Sequence, residues 1–252
     1  MKKEERQQQI LNMLNASGQI TVNEIMDALS VSDMTVRRDL TDLSKRNLLI
    51  RTHGGAQRIV ASEGYERSHV EKKSLHEDEK RKIASLTASY INDGETIFLG
   101  PGTTLEKMAY CLMDKKIRVV TNSLPVFEIL NQSTSVDLIL AGGEYRSITG
   151  AFVGSVALCA LENMRFSKAF ISVNGIAQGS VFTYSEAEGE IQKKALNLAM
   201  DKYLLADSSK FNAFDFYEFY KVSDFDHIIT DSGIDQNTVT ELKKYCDIQI
   251  CE

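Results

Sequence analysis

The segment Ser32–Leu40 constrains this chain most, because its pattern predicts a helix with one apolar face and one basic face. Val36, Leu40 and Leu43 recur at i, i+4 and i+7, so they share one side of that helix. At about 100° per residue, Met34, Arg38 and Lys45 lie almost opposite this stripe, with Thr35 and Arg37 on its flanks. An outward pair of arginines is typical of a helix that reads the major groove. On its own, the pair is also typical of a solvated surface.

The residues before this helix favour DNA recognition. Lys3 to Ala16 are predicted to form a first helix, which Ser17-Gly18 ends. Thr21 and Glu24 have the capping-box spacing for a second, short helix. Only Ser30 and Val31 separate that helix from a new N-cap at Ser32, so the two helices must meet at a sharp turn. This is the helix-turn-helix arrangement.

A basic, glycine-containing stretch follows the three predicted helices. Leu48–Ile50 and Arg51–Ala56 predict a two-stranded wing, in which Arg51 and His53 lie against DNA phosphates. Gly54-Gly55 alone is only a turn signal, and a lone histidine is usually an ordinary surface residue. The predicted DNA-contacting residues are Ser32, Met34, Thr35, Arg37, Arg38, Arg51 and His53.

The order of these segments resembles the DeoR family of bacterial repressors. That family has a recognition segment V-S-x-x-T-[VI]-R-R-D-L and an H-G-G-A wing. This chain matches them with Val31, Ser32, Thr35, Val36, Arg37, Arg38, Asp39 and Leu40, and with His53, Gly54, Gly55 and Ala56. The resemblance implies a repressor that binds operator DNA, and we expect it to do so as a homo-oligomer.

The charge of the chain is unevenly distributed. Residues 1–58 carry nine Lys and Arg against seven Asp and Glu, and the remainder carries twenty against twenty-eight, for a net charge of −6. The four cysteines are scattered without metal-ligand spacing, so we expect reduced, mostly packing cysteines and no metal or cofactor. No signal peptide or membrane span is visible. These features predict a cytoplasmic protein with no membrane contact.

Three regions are predicted along the chain. Residues 1–58 form the winged helix-turn-helix domain, and the charged stretch 59–78 forms a linker that is partly helical at most. In residues 79–252 short apolar runs alternate with helical patterns, which predicts an α/β domain with a mainly parallel sheet covered on both faces. The predicted strands are 96–99, 118–121, 136–140, 168–173, 203–206, 227–230 and 248–250.

Ligands of such sheets bind beyond the carboxyl ends of the strands. The polar residues and glycines predicted there are Gly100, Gly102, Thr103, Thr104, Thr121, Asn122, Gly143, Arg146, Asn174, Asp207 and Lys210. Gly100-Pro-Gly-Thr-Thr104 would turn backbone N–H groups at a helix N-terminus toward an anion. Arg146 and Lys210 would converge on it, and Asp207 and Asn174 would bind hydroxyl groups. Taken singly, each also fits an ordinary turn or surface charge.

The resemblance to the DeoR family extends through this second half. The segments G-P-G-T-T, T-N, A-G-G, N-G and A-D-S-S-K occur in the order found in the family's effector domain. That resemblance implies the fold of ribose-phosphate isomerase and a phosphorylated sugar as effector. Glu79–Ala84 matches the family's E-K-x-x-I-A segment, which adds Lys80 to the predicted effector residues. Longer stretches such as Phe98–Thr104 are similar to family members that control lactose use and respond to tagatose 6-phosphate.

Two other functions fit parts of the sequence. The first is a sugar-phosphate isomerase-like enzyme fused to a DNA-binding domain, which would need a base and a poised acid. Phe170–Gly175 contains no acid, Asp207 is the one carboxylate expected at the strand ends, and Glu186, Glu188 and Glu190 fit the start of a helix. The second is a structural DNA-binding protein without an effector, which would leave the strand-end polar residues unexplained. We therefore expect a repressor with no catalytic residues.

Overall fold

The computed structural model describes residues 2–46, 48–57 and 66–251. The chain divides into two compact units, Met1–Ala61 and Ser62–Glu252. The predicted domain boundary at residue 58 and residues 59–65 of the predicted linker lie outside the described residues.

Within its described residues, the first unit contains three helices and a small antiparallel sheet. In chain order its elements are α1 (Lys3–Ser17), β1 (Gln19–Thr21), α2 (Val22–Leu29), α3 (Asp33–Lys45), β2 (Ile50–Thr52) and β3 (Gly55–Gln57). The strands β2 and β3 form the predicted wing, and β1 adds an unpredicted third strand in the order β1-β3-β2. A Cβ atom on Gly55 would lie 2.0 Å from the Ile20 carbonyl oxygen, so only glycine permits this close pairing.

The predicted apolar stripe of α3 forms the centre of this unit. Val36, Leu40 and Leu43 are at most 1% exposed and pack against residues of α1 and α2. The capping box at the start of α2 is also confirmed, with Glu24 N donating to Thr21 Oγ1 and Thr21 N donating to Glu24. Local pattern and tertiary packing therefore agree throughout the helix-turn-helix.

The second unit is an α/β sandwich. In chain order its helices and strands are α4 (His69–Lys73), α5 (Glu77–Ala88), β4 (Thr96–Leu99), α6 (Thr103–Leu112), β5 (Arg118–Thr121), α7 (Leu124–Leu130), β6 (Asp137–Leu140), β7 (Glu144–Arg146), β8 (Ala151–Val153), α8 (Gly154–Leu161), β9 (Phe166–Ser172), β10 (Gly175–Ala177), β11 (Ser180–Thr183), α9 (Glu186–Asn197), β12 (Ala199–Leu205), β13 (Tyr217–Lys221), β14 (His227–Asp231), α10 (Gln236–Leu242) and β15 (Asp247–Cys251).

A seven-stranded parallel sheet organises this unit, in the order β15-β14-β12-β9-β4-β5-β6. It contains all seven predicted strands. The helices α5, α6 and α7 contribute to the apolar core on one face, and α8, α9 and α10 contribute to the core on the other. Two small antiparallel sheets, β7-β8 and β10-β11-β13, were not predicted, because their strands are short and lie between stronger helical and strand patterns.

The last part of the predicted linker belongs to this second unit. Residues 66–78 contain α4 and the start of α5. A second capping box, formed by Ser68 and Glu71, begins α4. His69 N donates to the Ile148 carbonyl oxygen at 2.7 Å. Hydrogen bonds rather than a hydrophobic stripe hold this segment. Its sequence, in which charged residues outnumber apolar ones, was therefore predicted to be a linker.

Other expectations concern membranes, metals and cysteines. In the described ranges, no helix is both long and apolar enough to cross a bilayer. The same ranges contain no group of three or more His, Cys, Asp and Glu placed to hold a metal ion. All four cysteines are free, but Cys111 and Cys159 are exposed, so the expectation that most of them pack in the interior was wrong for these two.

Candidate functional site

The outer face of α3 carries an unpaired arginine. Arg38 is exposed, and its guanidinium group has no hydrogen bond or ion pair with any residue that the structure describes. Met34, one turn earlier, is 80% exposed. A charged and an apolar side chain side by side on a free helix face can contact a base edge and a thymine methyl group.

The flanking polar residues of α3 are engaged with one another. Arg37 Nε donates to Asp33 Oδ1 at 2.6 Å, and this hydrogen bond raises the pKa of the arginine further. Ser32 stands at the N-cap, but its hydroxyl lies 2.9 Å from Thr35 Oγ1 and caps no backbone N–H. Arg37 must therefore leave Asp33 to contact DNA, whereas Arg38 needs no such exchange.

The wing adds two basic residues: Arg51, whose side chain is hydrogen-bonded to α3, and His53, which is exposed. Arg51 donates from Nη1 to Thr41 Oγ1 at 2.9 Å, which connects β2 to α3. His53 is exposed at the turn between β2 and β3. The structure thus places all seven predicted DNA-contacting residues on α3, on its N-cap or in the wing.

Asp39, the acid that follows the two arginines, has a structural role that the sequence did not reveal. It is 1% exposed. Its carboxylate accepts hydrogen bonds from Arg6 Nε, from Arg6 Nη2 at 3.2 Å and from Gln7 Nε2 at 3.3 Å. This ion pair fixes α3 against α1, and so fixes the direction in which Arg38 points.

In the second unit, a cavity of about 680 Å³ lies at the carboxyl ends of β4, β9 and β12. We call it the strand-end cavity. It is lined by Pro101–Thr104 after β4, Ser172–Asn174 at the end of β9 and Leu205–Asp207 with Lys210 at the end of β12. Residues of α4, α5, α9 and β11 and the β7–β8 turn complete its walls.

Seven of the twelve predicted effector residues line this cavity. They are Lys80, Gly102, Thr103, Thr104, Asn174, Asp207 and Lys210. They come from four segments far apart in sequence, and the parallel sheet brings the strand-end members to one edge.

Four other predicted effector residues are absent from the walls of the cavity, namely Gly100, Thr121, Asn122 and Gly143. Gly100 N instead continues the sheet by donating to the Phe170 carbonyl oxygen at 3.0 Å. Thr121 is the last residue of β5 and Asn122 follows it; this strand is further toward the β6 edge, and both residues are fully buried. At Gly143 a Cβ atom would lie 2.5 Å from the Val153 carbonyl oxygen, so this glycine serves close backbone packing.

Arg146, the twelfth predicted effector residue, does not line the cavity but contacts a residue that does. Its Nε donates to Glu188 Oε1 at 3.1 Å, and its Nη2 contacts the carboxylate of Glu66. Glu188 itself lines the cavity. Arg146 is therefore already paired with two carboxylates, and it holds a cavity residue in place rather than offering a free cation.

Three lysines supply positive charge to the strand-end cavity. Burial lowers the pKa of Lys80 to about 8, and it also lowers the pKa of Lys72. Lys80 Nζ donates to the Lys72 carbonyl oxygen at 2.6 Å, and Lys72 Nζ donates to Asn174 Oδ1 at 3.2 Å. The ammonium group of Lys210 has no hydrogen bond or ion pair with the described residues. Three ammonium groups around one cavity attract an anion electrostatically.

The N-terminus of α6 opens toward the same space. Gly102 is its N-cap, with φ of 136°, and a Cβ atom there would lie 2.1 Å from Ser172 Oγ. The backbone N–H groups of Thr103, Thr104 and Leu105 have no hydrogen-bond acceptor among the described residues. Free N–H groups at a helix N-terminus form an anion site.

The loop after β12 positions Asp207 and Lys210. Asp207 is 2% exposed, and its Oδ1 accepts a hydrogen bond from Ser209 N at 3.1 Å. This bond stabilises a 3₁₀ turn at Ser208–Lys210, which carries the lysine to the cavity. One carboxylate and one free ammonium group thus stand at the end of the same strand.

Several cavity residues were missed from the sequence. They are His69, Lys72, Thr149, Ser172, Thr183, Glu188 and Gln192. Two of them lie in the segment predicted as a linker, and the sequence explains Glu188 equally well as an acid that complements the helix dipole. One sequence signal pointed to a polar site on α9: Gln192 follows the apolar Ile191, at a position where the apolar stripe of the helix would continue. In the structure Gln192 is 3% exposed.

The two units match the two sequence profiles of one family. Residues 6–61 match the profile described as "DeoR-like helix-turn-helix domain", and residues 75–232 match the one described as "DeoR C terminal sensor domain". The second match alone spans more than half of the chain.

Whole-chain relatives carry a common name, "Lactose phosphotransferase system repressor". The protein of that name from Lactococcus lactis subsp. lactis is 52% identical over 251 residues, covering 98% of each chain. The one from Streptococcus mutans is 46% identical over 250 residues, covering 98% of this chain and 99% of that one. The one from Staphylococcus aureus is 41% identical with the same coverage.

Solved structures give weaker matches. Ribose 5-phosphate isomerase A from Neisseria gonorrhoeae has a TM-score of 0.40 and 17% identity over 52% of each chain. The enzyme from Methanocaldococcus jannaschii has a TM-score of 0.40 and 18% identity over 54% of each chain. Similarities of this degree carry no information about chemistry. The two profiles and the full-length relatives do: this chain belongs to the DeoR family of helix-turn-helix regulators with a C-terminal sensor domain.

Proposed function

We propose that this protein is a cytoplasmic repressor of lactose-utilisation genes, which binds operator DNA as a homo-oligomer and is released from it by a phosphorylated sugar. The strand-end cavity is the effector site, and α3 with the wing is the operator-binding surface. Residues 1–58 serve DNA binding and residues 79–252 serve sensing.

One observation carries the effector assignment: free backbone N–H groups at the N-terminus of α6 share a cavity with three lysines. A phosphate dianion satisfies both at once, since it accepts hydrogen bonds from the helix N-terminus and is attracted by Lys80 and Lys210. The hydroxyls of Thr103 and Thr104 can add two more donors.

The remaining polar groups suit a sugar rather than a bare phosphate. Asp207 presents a carboxylate, and Asn174 presents an amide whose Nδ2 also donates to Asp215 Oδ2 at 2.7 Å. Carboxylate and amide oxygens accept hydrogen bonds from hydroxyl groups. The names of the full-length relatives point to lactose use, so tagatose 6-phosphate is the first effector to test.

Operator recognition is assigned to the exposed face of α3. Arg38 is free to make a bidentate contact with guanine, which is worth about 1–3 kcal/mol of discrimination. Arg37 can contact a phosphate or a neighbouring base after separating from Asp33. Arg51 and His53 are placed to contact the backbone through the wing, which fixes orientation without reading sequence.

The enzyme alternative has a second carboxylate in its favour, because Glu188 lines the same cavity as Asp207. Glu188 is however bound by Arg146 and Thr149, which fix the orientation of its carboxylate. A proton-transferring pair needs one partner free to take up and release a proton. The arrangement therefore favours binding over isomerisation.

The test is a titration of purified full-length protein on fluorescent operator fragments from the promoter region of its lactose genes. Tagatose 6-phosphate should release the DNA, and lactose and inorganic phosphate should not. The Lys210→Ala variant should bind the operator normally and resist release, whereas Lys244→Ala, an exposed lysine outside the cavity, should respond like the wild type. Release by another sugar phosphate would support the release mechanism but assign the repressor to a different sugar pathway. Conversion of a sugar phosphate to product without release would refute the proposal.

A further inference from the structure

Asp215, which does not line the strand-end cavity, has a carboxylate that binds two N–H donors at once. It lies in the loop between the 3₁₀ turn at Ser208–Lys210 and β13. Its Oδ1 accepts a hydrogen bond from Phe216 N at 2.7 Å, and its Oδ2 accepts one from Asn174 Nδ2 at 2.7 Å. An uncharged amide of the same size has one oxygen and one NH₂ group, so it satisfies only one of these donors. The position therefore requires a carboxylate.

The loop that carries Asp215 packs against β10 and β11. A Cβ atom on Gly175 would lie 2.3 Å from the Ala213 carbonyl oxygen, so the loop backbone approaches β10 more closely than any other residue type would allow. The rings of Phe214 and Phe182 have centroids 5.2 Å apart, which joins the loop to β11. These contacts fix the backbone from which the carboxylate projects.

The amide of Asn174 is oriented by its two partners. Lys72 Nζ donates to Asn174 Oδ1 at 3.2 Å. An ammonium group only donates hydrogen bonds and a carboxylate only accepts them, so the amide oxygen must face Lys72 and the amide nitrogen must face Asp215. Without the carboxylate, the amide is free to turn its NH₂ group toward the ammonium group, which would break the contact with Lys72. Asp215 therefore determines which side of Asn174 meets Lys72.

Lys72 depends on this contact for its position. It belongs to α4, a helix with no buried residue, so apolar packing does not fix it. Its ammonium group has several N–H donors, and Asn174 Oδ1 accepts from one of them. The others can bind an anion in the cavity, which both Lys72 and Asn174 line. Burial lowers the pKa of Lys72, and the negative charges of Glu66, Glu188 and Asp215 oppose that effect.

We propose that Asp215 is a positioning residue of the effector site, which acts through Asn174 to direct the ammonium group of Lys72 at the bound effector. This inference rests on the proposed function, because it presumes that the strand-end cavity binds a phosphorylated sugar. Asp215 does not contact the sugar. It fixes the direction of a hydrogen-bonded chain that runs from the loop before β13 to α4 and ends on the effector.

The test is a double-mutant cycle on the full-length protein, measured by isothermal titration calorimetry with tagatose 6-phosphate and fructose 6-phosphate. Asp215→Asn keeps the size of the side chain and removes one acceptor. Affinity for the hexose phosphate that wild type binds more tightly should fall about five- to tenfold, the usual effect of one lost hydrogen bond. In an Asn174→Ala background, Asp215→Asn should change affinity by less than about twofold, because the residue through which it acts is gone. A Lys72→Met background, which keeps Asn174, should give the same result.

Asp224→Asn is the matched control, since it makes the same change at an exposed position outside the cavity and should leave both affinities unchanged. Additive losses in the two cycles would show that Asp215 acts on the structure without Asn174 and Lys72. An unchanged affinity in Asp215→Asn would remove Asp215 from the site. Either result overturns this inference and leaves the proposed function intact. A wild-type protein that bound neither hexose phosphate would overturn the proposed function, and this inference with it.

Discussion

Arg6 Nη2 lies 3.2 Å from Asp39 Oδ1, and this ion pair holds α1 and α3 of the helix-turn-helix together. Asp39 directly follows the two arginines predicted to contact DNA, yet its side chain points inward and is 1% exposed. The consecutive residues Arg38 and Asp39 therefore have opposite tasks, one free for recognition and the other holding the helix that presents it.

We expect Asp39→Ala to lower the free energy of unfolding of the first unit by about 2–3 kcal/mol, because it leaves Arg6 and Gln7 without their acceptor. Hydrogen exchange followed by mass spectrometry would show the loss as faster exchange in α1 and α3. Asp42→Ala is the matched control, since Asp42 pairs with Lys3 at the surface of the same helix and exchange should stay near wild type. Equal effects of the two variants would contradict the structural role of Asp39.

Arg38→Ala should weaken operator binding at least tenfold at moderate salt and leave sugar phosphate binding unchanged. The reason is that Arg38 is exposed and unpaired in the described part of the chain, so its loss removes a contact to DNA without disturbing the fold. Fluorescence anisotropy with an operator fragment measures the first effect and calorimetry the second. Arg165→Ala removes the same charge at an exposed position in the second unit and serves as the control. Wild-type operator affinity in Arg38→Ala would mean that another face of the unit reads DNA.

The affinity for a phosphorylated effector should fall as pH rises from 7 to 9. Burial lowers the pKa of Lys80 to about 8, so the lysine is protonated below that pH and loses its charge above it. The phosphate is already a dianion throughout this range, because its second pKa is about 6. If only the charged lysine binds, the loss approaches tenfold. Calorimetry at several pH values would measure it, and Lys80→Arg, which stays charged, should flatten the profile. An unchanged slope in that variant would exclude Lys80 as the titrating group.

Gly102→Ala should weaken effector binding tenfold or more. Its Cβ atom would lie 2.1 Å from Ser172 Oγ, so either the Ser172 hydroxyl, which lines the cavity, or the backbone at the N-terminus of α6 must move, and each change disturbs the anion site. Gly94→Ala separates this effect from backbone strain, because Gly94 also has positive φ (87°) but nothing within 4 Å of the position that the new methyl group would occupy. Both variants should melt earlier, since each places a side chain at positive φ at a cost of about 1 kcal/mol. Only Gly102→Ala should lose release from the operator. Similar loss in both would show that strain, and not crowding of the anion site, is responsible.

Arg146→Met should destabilise the second unit in a pH-dependent way. Burial and the charge of Glu188 already raise the pKa of Glu66, and Arg146 opposes both effects. Without the arginine, the folded state binds a proton at Glu66 more readily than the unfolded state does, so stability falls as pH rises. We expect a loss of about 3 kcal/mol at pH 8 and a smaller loss at pH 5. Thermal unfolding at the two pH values measures it, with Arg165→Met as the control. A loss independent of pH would indicate packing alone.

The sequence by itself determined the local elements and the part of each site that follows from them. The i, i+4, i+7 stripe of Val36, Leu40 and Leu43 decides which side of α3 is buried, and hence that Arg38 is exposed. Seven strand patterns predict the parallel sheet, and its geometry alone brings Thr103, Asn174, Asp207 and Lys210 together.

Contacts between polar side chains of different segments could be read only from the tertiary structure, because hydrophobic periodicity does not predict them. Lys72 reaches the strand-end cavity because hydrogen bonds, not an apolar stripe, hold α4 on the second unit. Arg146 was expected to be a free cation, but it is paired because β7 brings it to Glu66 and Glu188. Periodicity reports which face of an element is buried, since burial is a property of one element. Which polar side chain meets which depends on the packing of several elements, and no single stretch of sequence contains that information.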